Sequence, residues 1–150
     1  MRRPPSSRYA GAMVQASAHH IVELRAALAQ GPRLRLALLF GSGAKDRLRP
    51  DSDLDVGIIP VDAAMTLRDE LALASRLSRA TGREVDVVRL DRAPTIVRWE
   101  VARNHIVLGA DPPEALPRFV AAAALEHADL QPLLDDARER LVRRLRGGAV

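Results

Sequence analysis

The chain has 150 residues, of which 47% are hydrophobic and 28% are charged. This length allows one domain, and the composition is typical of a globular protein and excludes a disordered or fibrous one. No apolar run approaches the roughly 20 residues that a membrane-spanning helix needs, so we expect no membrane insertion. Cysteine is absent, which excludes disulfides and thiolate metal sites, and we expect a cytoplasmic location.

The formal net charge of +4 raises the question of nucleic-acid binding, because clustered basic residues neutralise phosphate backbones. The arginines are scattered over nearly the whole chain. One cluster, at 138–146, alternates with acidic residues on a predicted helix and is typical of a solvated helical face. The sequence therefore does not predict direct nucleic-acid binding.

The first twelve residues carry charge, two prolines and two serines, and they lack an apolar stretch. We predict a flexible N-terminal tail over 1–12, and Met13 is a possible alternative start. Residues 13–150 are predicted to form a single domain that includes a C-terminal helix over 113–146.

The spacing of apolar residues and of helix and turn signals predicts eight elements along the chain. They are, in order, a helix over 14–30, strands over 34–40 and 54–59, a helix over 63–80, a strand over 84–90, a helix over 94–103, a short edge strand over 105–108 and the helix over 113–146. Pro132 is expected to kink or divide the last helix. Strands interleaved with helices predict an α/β protein with a small sheet covered by helices, and the spacing leaves the strand order open.

The second half of the last helix carries an apolar stripe. Its members are Leu130, Leu133, Leu134, Ala137, Leu141 and Leu145. We expect this stripe either to pack on the sheet layer or to offer a surface to a partner.

Two aspartates at the start of the second predicted strand suggest a metal site. Asp53 and Asp55 alternate with apolar residues, so their side chains point to the same face, roughly 6.5 to 7 Å apart at the backbone. They can converge on shared cations, and hard oxygen ligands favour Mg²⁺ or Mn²⁺.

Upstream of these acids, a strand ends in Gly41-Ser42, where a tight turn lets backbone N–H groups approach a phosphate. Lys45, the chain's single lysine, lies within reach of this turn and can neutralise a triphosphate oxygen. Each feature has an ordinary explanation as a turn or a helix cap. Their occurrence in this order favours a nucleotide site.

Asp86 is a third carboxylate, in the middle of an otherwise apolar predicted strand. Burying such a group is costly unless it is paired or binds metal. Two cations roughly 3.5 to 4 Å apart would clamp the attacking and leaving oxygens of a displacement at phosphorus. We assign Asp53 and Asp55 to both cations, and Asp86 to the one that activates the acceptor hydroxyl.

Gly41-Ser42, ten intervening residues, Asp53-Leu54-Asp55 and the later Asp86 resemble the signature of the DNA-polymerase-β-like nucleotidyltransferases. Within that superfamily, Pro50-Asp51-Ser52-Asp53-Leu54-Asp55 and Val85-Asp86-Val87-Val88 look most like the minimal nucleotidyltransferase (MNT) antitoxins, which are encoded beside HEPN-domain toxins. The likeness covers roughly residues 20 to 146, including the terminal helix. It implies the small mixed sheet of that superfamily with a C-terminal helical extension.

The resemblance implies an antitoxin that transfers AMP from ATP to a tyrosine of a cognate HEPN ribonuclease toxin, using Mg²⁺ or Mn²⁺. Catalysis and metal binding are expected at Asp53, Asp55 and Asp86, and nucleotide binding at Gly41, Ser42 and Lys45. Two alternatives stay open: a nucleotidyltransferase that acts on a small acceptor such as an antibiotic, and a non-catalytic antitoxin that neutralises by binding alone. The chain has little beyond its catalytic layer, so we expect the acceptor site to involve a partner chain.

Overall fold

The computed structural model describes residues 7–41 and 52–148 of the chain, with side chains from residue 18 onward. Within these ranges the chain forms helices and strands in the following order: α1 (Ser7–Ala29), β1 (Leu34–Phe40), β2 (Leu54–Pro60), α2 (Leu67–Thr81), β3 (Val85–Arg89), α3 (Thr95–Arg103), β4 (Ile106–Ala110) and α4 (Ala115–Gly147).

The four strands form one mixed sheet with the order β3-β2-β1-β4. Strand β1 is antiparallel to both of its neighbours, whereas β2 and β3 are parallel and are connected through α2. A parallel pair needs such a crossover connection, because a tight turn can join only antiparallel strands. The predicted α/β fold, a small mixed sheet covered by helices with a long C-terminal helix, is confirmed, and β4 is an edge strand as predicted.

The sheet is buried on both faces because its strands alternate apolar side chains toward two helix layers. In β1, Ala37 and Leu39 belong to the cluster under α1 and α2, and Leu36 and Leu38 belong to the cluster under α3 and α4. The first cluster also contains Leu24, Leu54, Val56, Ile58, Leu73 and Leu77, and the second contains Leu90, Val101, Ala102, Phe119 and Ala123. The molecule therefore has three layers.

Helix α2 begins later than predicted because a capping box fixes its first turn. The Thr66 hydroxyl accepts a hydrogen bond from the Asp69 backbone N–H, and the Asp69 carboxylate accepts one from the Thr66 backbone N–H at 2.9 Å. These reciprocal bonds satisfy N–H groups that a helix start leaves without a partner. The helix ends at Gly82, whose φ of 65° is the left-handed conformation that suits glycine.

Helix α1 begins at Ser7, seven residues before the predicted start at Val14. Its side chains from residue 18 onward place Leu24 and Ala27 in the first core cluster. The division of the chain into a tail over 1–12 and a domain over 13–150 stays a prediction.

Helix α4 runs unbroken from Ala115 to Gly147 and is not divided at Pro132. A proline removes one N–H donor and leaves the carbonyl four residues earlier without its helical bond. Here that carbonyl belongs to Ala128, which is exposed, so water can solvate it. Every residue from 131 to 148 is exposed, so the apolar stripe of this half does not pack on the sheet. Among the helices that the structure describes, none is both long and apolar enough to cross a membrane.

Candidate active site

Three strand ends meet at one edge of the sheet and bring the predicted acids together. The C-terminal end of β1 lies beside the N-terminal end of β2, and the N-terminal end of β3 lies on the other side of β2, so that Phe40 pairs with Asp55 and Asp55 pairs with Asp86. The Leu54 N–H donates to the Glu84 carbonyl at 2.9 Å and fixes where the two parallel strands start. Adjacent strands are about 4.8 Å apart, and partners in register point to the same face. The carboxylates of Asp55 and Asp86 are therefore neighbours.

Asp53, the residue directly before β2, is the third member of the acid group. It is exposed, Asp55 is half-buried and Asp86 is exposed. Desolvation by burial, followed by the negative charges of Asp86 and Asp53, raises the pKa of Asp55 above its ordinary value of 3.8. Because both neighbours act on Asp55, the three carboxylates share one electrostatic site. Their mutual repulsion favours any cation that binds among them.

Asp55 has one aromatic and one acidic neighbour in the sheet. On one side is Phe40, an aromatic residue that packs against the second core cluster, and on the other side is Asp86. An apolar neighbour lowers the local polarity, and an acidic neighbour adds like charge. The sequence prediction used Phe40 only as the end of a strand.

Gly41 lies against the central carboxylate. Its φ is 67°, and an ideal Cβ at this position would lie 2.5 Å from Asp55 Oδ2. Any side chain here would clash with the acid and would also hold an L residue in the left-handed conformation. The backbone can therefore approach the acid group closely only because residue 41 is glycine.

The structure thus brings together four of the six predicted site residues: Gly41, Asp53, Asp55 and Asp86. Ser42 and Lys45, the other predicted nucleotide contacts, lie outside the described residues. Within residues 18–41 and 52–148, no three or more His, Asp or Glu side chains form a ready-made metal-binding cluster. The acids interact electrostatically, but their side chains do not already have chelating geometry.

The three acids do not line a cavity of about 480 Å³ that the described residues form. That cavity lies at the opposite end of β2, where Pro60, Val61 and Asp62 face Ala72, Leu73 and Arg76 of α2. Two members of the acid group, Asp53 and Asp86, are exposed at the strand ends, and Asp55 is half-buried.

Residues 23–112 match the family model described as "Polymerase beta, Nucleotidyltransferase". This segment contains Gly41, the three acids and all four strands, and it covers more than half of the chain. The chain belongs to this nucleotidyltransferase family.

The chain is also similar to individual members. It is 29% identical over 111 residues to the protein adenylyltransferase MntA of Shewanella oneidensis. The aligned region covers 70% of this chain and 77% of that protein. A chain of a toxin-antitoxin crystal structure with AMP-PNP superposes with a TM-score of 0.65 at 24% identity, covering 79% of this chain and 98% of that one. A chain from a complex of tri-AMPylated Shewanella oneidensis HEPN toxin with MNT antitoxin has a TM-score of 0.56 at 23% identity, covering 84% and 98%. The structural matches show a shared fold, and the predicted resemblance to this branch is confirmed.

Proposed function

We propose that this protein is a metal-dependent antitoxin that transfers AMP from ATP to a tyrosine of a cognate HEPN toxin. The observation that carries the proposal is the register of β2 and β3, which sets Asp55 beside Asp86 with Asp53 at the same strand end. A nucleotidyltransferase fold with this acid group intact supports catalysis over neutralisation by binding alone. The similarity to MntA, named a protein adenylyltransferase, supports a protein acceptor.

The acid group has the chemistry that a divalent cation requires. Three carboxylates supply hard oxygen donors, which suit Mg²⁺ or Mn²⁺ better than softer metals. Asp53 and Asp55 would hold both cations, and Asp86 would hold the one nearer the acceptor. Bound there, the cations would neutralise charge on the attacking and leaving oxygens.

The chain's own residues then position the nucleotide. Gly41 keeps the backbone free of a side chain beside Asp55, so a phosphate can approach the acid edge closely. Ser42 and Lys45 follow in the sequence and would contact the phosphates. In the transfer, the tyrosine oxygen forms a bond to the α-phosphorus of ATP, the bond to the β-phosphate oxygen breaks, and pyrophosphate leaves with its electron pair. The tyrosine proton passes to solvent.

The exposure of two of the three acids supports a macromolecular acceptor. Asp53 and Asp86 are exposed at the edge of the sheet, and the cavity of about 480 Å³ lies at the other end of β2. A small acceptor would gain most of its affinity from an enclosed pocket. A protein acceptor brings its own surface and can present a tyrosine to an exposed edge.

The test is transfer of labelled AMP from ATP to the purified toxin encoded beside this gene, in the presence of Mg²⁺. Asp53→Asn, Asp55→Asn and Asp86→Asn should each remove transfer and leave the fold intact, because the carboxylates are needed for ligation and not for packing. Asp62→Asn is the matched control, because it makes the same change at the other end of β2. Its Oδ1 acceptor, which caps the Ala64 N–H at 2.9 Å, is kept in asparagine.

Three results would contradict the proposal. Neutralisation of the toxin by all three variants as effectively as by the wild type, without labelling, would favour binding alone. Absence of both toxin binding and toxin labelling, with labelling of a small acceptor, would favour an enzyme of the antibiotic-modifying kind. Transfer that survives the Asp53→Asn, Asp55→Asn double substitution would exclude this acid group as the active site.

A further inference from the structure

His105 lies at the same end of the sheet as the acid group, directly before β4. The register of β1 with β4, in which Leu39 pairs with Ile106, sets His105 opposite Phe40. On its other side, Phe40 pairs with Asp55. A row of side chains therefore crosses the sheet at this end, and we call it the acid-end row: Asp86, Asp55, Phe40 and His105.

The four members of the acid-end row point to one face of the sheet, the face that carries α3 and α4. Val107 packs against the second core cluster and Ile106 against the first, so alternation sends His105 to the side of the second cluster. Phe40 packs against the second cluster as well. The two acids share this face because partners in register point to the same side of a sheet.

The core on this face ends before it reaches the acid-end row. In β1, Leu36 and Leu38 are fully buried under α3 and α4, whereas Phe40 is half-buried. His105 is half-buried too. Both side chains therefore keep surface that packing has not used.

A hydrogen bond fixes which ring nitrogen of His105 carries the hydrogen. His105 Nδ1 lies 2.8 Å from the carbonyl oxygen of Val101. This carbonyl belongs to the last turn of α3, where helical N–H partners are missing, so the ring caps the end of the helix. Because a carbonyl oxygen only accepts, Nδ1 is the donor, and in the neutral ring Nε2 keeps its lone pair.

Nε2 is the part of the ring that capping leaves unused. Among the described residues, Val101 is the one hydrogen-bond partner of the His105 side chain. A neutral imidazole nitrogen without hydrogen is an acceptor, so its natural ligand is an N–H or O–H donor. The acid-end row therefore has cation-binding carboxylates at one end and a hydrogen-bond acceptor at the other.

The proposed function, on which this inference rests, determines which part of ATP lies along the row. The α-phosphate must lie at the cations that the acid group holds. The outer phosphates lead into the turn that begins at Gly41, and the acceptor lies on the side of Asp86. The nucleoside is then left with the side of Asp55 that faces Phe40 and His105.

The spacing of the strands places the base, and not the sugar, at His105. Phe40 is one strand interval from Asp55 and His105 is two, which are about 4.8 and 9.6 Å. The ribose is joined directly to the α-phosphate and the base lies beyond it, so the ribose falls at Phe40 and the base at His105. Adenine has a single N–H donor group, the 6-amino group, because its free ring nitrogens only accept. An acceptor at this position matches that group.

We propose that His105 determines the preference of this protein for adenine: its Nε2 accepts a hydrogen bond from the 6-amino group of ATP, while its Nδ1–H holds the ring on the end of α3. Guanine carries an oxygen in place of the amino group, and two facing acceptors repel each other. His105 is thus a specificity-determining residue that touches the nucleotide away from the reacting atoms.

Equilibrium binding of nucleotides to the full chain, with Mg²⁺ and without the toxin, tests this role by isothermal titration calorimetry. The probes are ATP and purine riboside triphosphate, which has hydrogen in place of the 6-amino group. We expect the wild type to bind ATP roughly 3- to 10-fold more tightly, the value of one neutral hydrogen bond. His105→Asn should bind the two nucleotides equally, at the weaker affinity.

The His105→Asn variant separates nucleotide binding from helix capping. The asparagine amide N–H can replace the Nδ1 bond to the Val101 carbonyl, but asparagine has no atom at the position of Nε2. The Tm should therefore stay near that of the wild type. His19→Asn is the matched control, because the His19 side chain is 71% exposed on α1, which covers the other face, and it should bind both nucleotides like the wild type.

Three results would overturn the role of His105. The first is a wild type that binds the two nucleotides equally, and the second is a His105→Asn variant that keeps the wild-type preference. The third is a loss of affinity in the variant that is seen with ATP but not with 2′-deoxy-ATP, which would assign Nε2 to the ribose hydroxyl. In each case ATP still binds, so the proposed function would stand. A wild type that binds no ATP would overturn both proposals.

Discussion

Replacing Gly41 with alanine separates the shape of the acid site from ordinary backbone strain. Gly41 has a φ of 67°, and holding an L residue in this conformation costs about 1–2 kcal/mol of stability. The added Cβ would also lie 2.5 Å from Asp55 Oδ2, whereas ordinary contact begins at 3.4 Å. The carboxylate must therefore move by about 1 Å, and a misplacement of that size costs about 100-fold in rate. We expect Gly41→Ala to lose both stability and transfer.

Gly82→Ala is the matched control, because Gly82 has a φ of 65° and no atom lies within 4 Å of its ideal Cβ. It should lose a similar 1–2 kcal/mol and keep the wild-type transfer rate. Urea denaturation measures the free energy of unfolding, and AMP transfer with saturating ATP measures the rate. Equal transfer rates for the two variants would refute the close contact between Gly41 and the Asp55 carboxylate.

The remaining predictions concern ion pairing and metal binding. Arg89→Met should lower the free energy of unfolding by about 3 kcal/mol in urea denaturation, because Arg89 is buried between Asp91 and Glu70 and both acids would lose their partner. A loss below about 1 kcal/mol would show that the pairs behave like surface pairs. The hydrogen bonds from Arg89 hold the pKa of Asp91 below 3.8, so this contribution is present above pH 3.8 and is lost as the pH falls through the lower folded value. The stability difference between the wild type and Asp91→Asn should therefore be constant near neutral pH and shrink in acid, and a difference that grows in acid would contradict this. Mg²⁺ should raise the Tm of the wild type and of Asp62→Asn but not that of Asp55→Asn, and equal increases in all three would place the metal elsewhere.

The strands were predictable because each is a short apolar run that ends at a turn residue or a charged residue. The predicted strand over 34–40 has the same bounds as β1, since a buried run ends there at Gly41. Alternation also placed Asp53 and Asp55 on one face. The pairing of Asp55 with Asp86 could not be predicted, because spacing along the chain does not fix which strands are neighbours or their register.

Helix ends were harder to predict, for reasons that differ from helix to helix. The capping box of Thr66 and Asp69 is visible in the sequence and starts α2 later than the predicted Ala63. Pro132 does not divide α4, because an exposed helix can lose one hydrogen bond to water and continue. The close approach of Gly41 to Asp55 depends on tertiary structure and has no local signal beyond the glycine itself.

The intact mass of the cognate toxin, measured after incubation with this protein, ATP and Mg²⁺, tests the central claim most directly. We predict that the toxin gains the mass of one or more AMP units with the wild-type protein and with Asp62→Asn. With Asp53→Asn, its mass should stay unchanged. An unchanged toxin mass with the wild type, under conditions where the two proteins form a complex and the toxin is neutralised, would contradict the account.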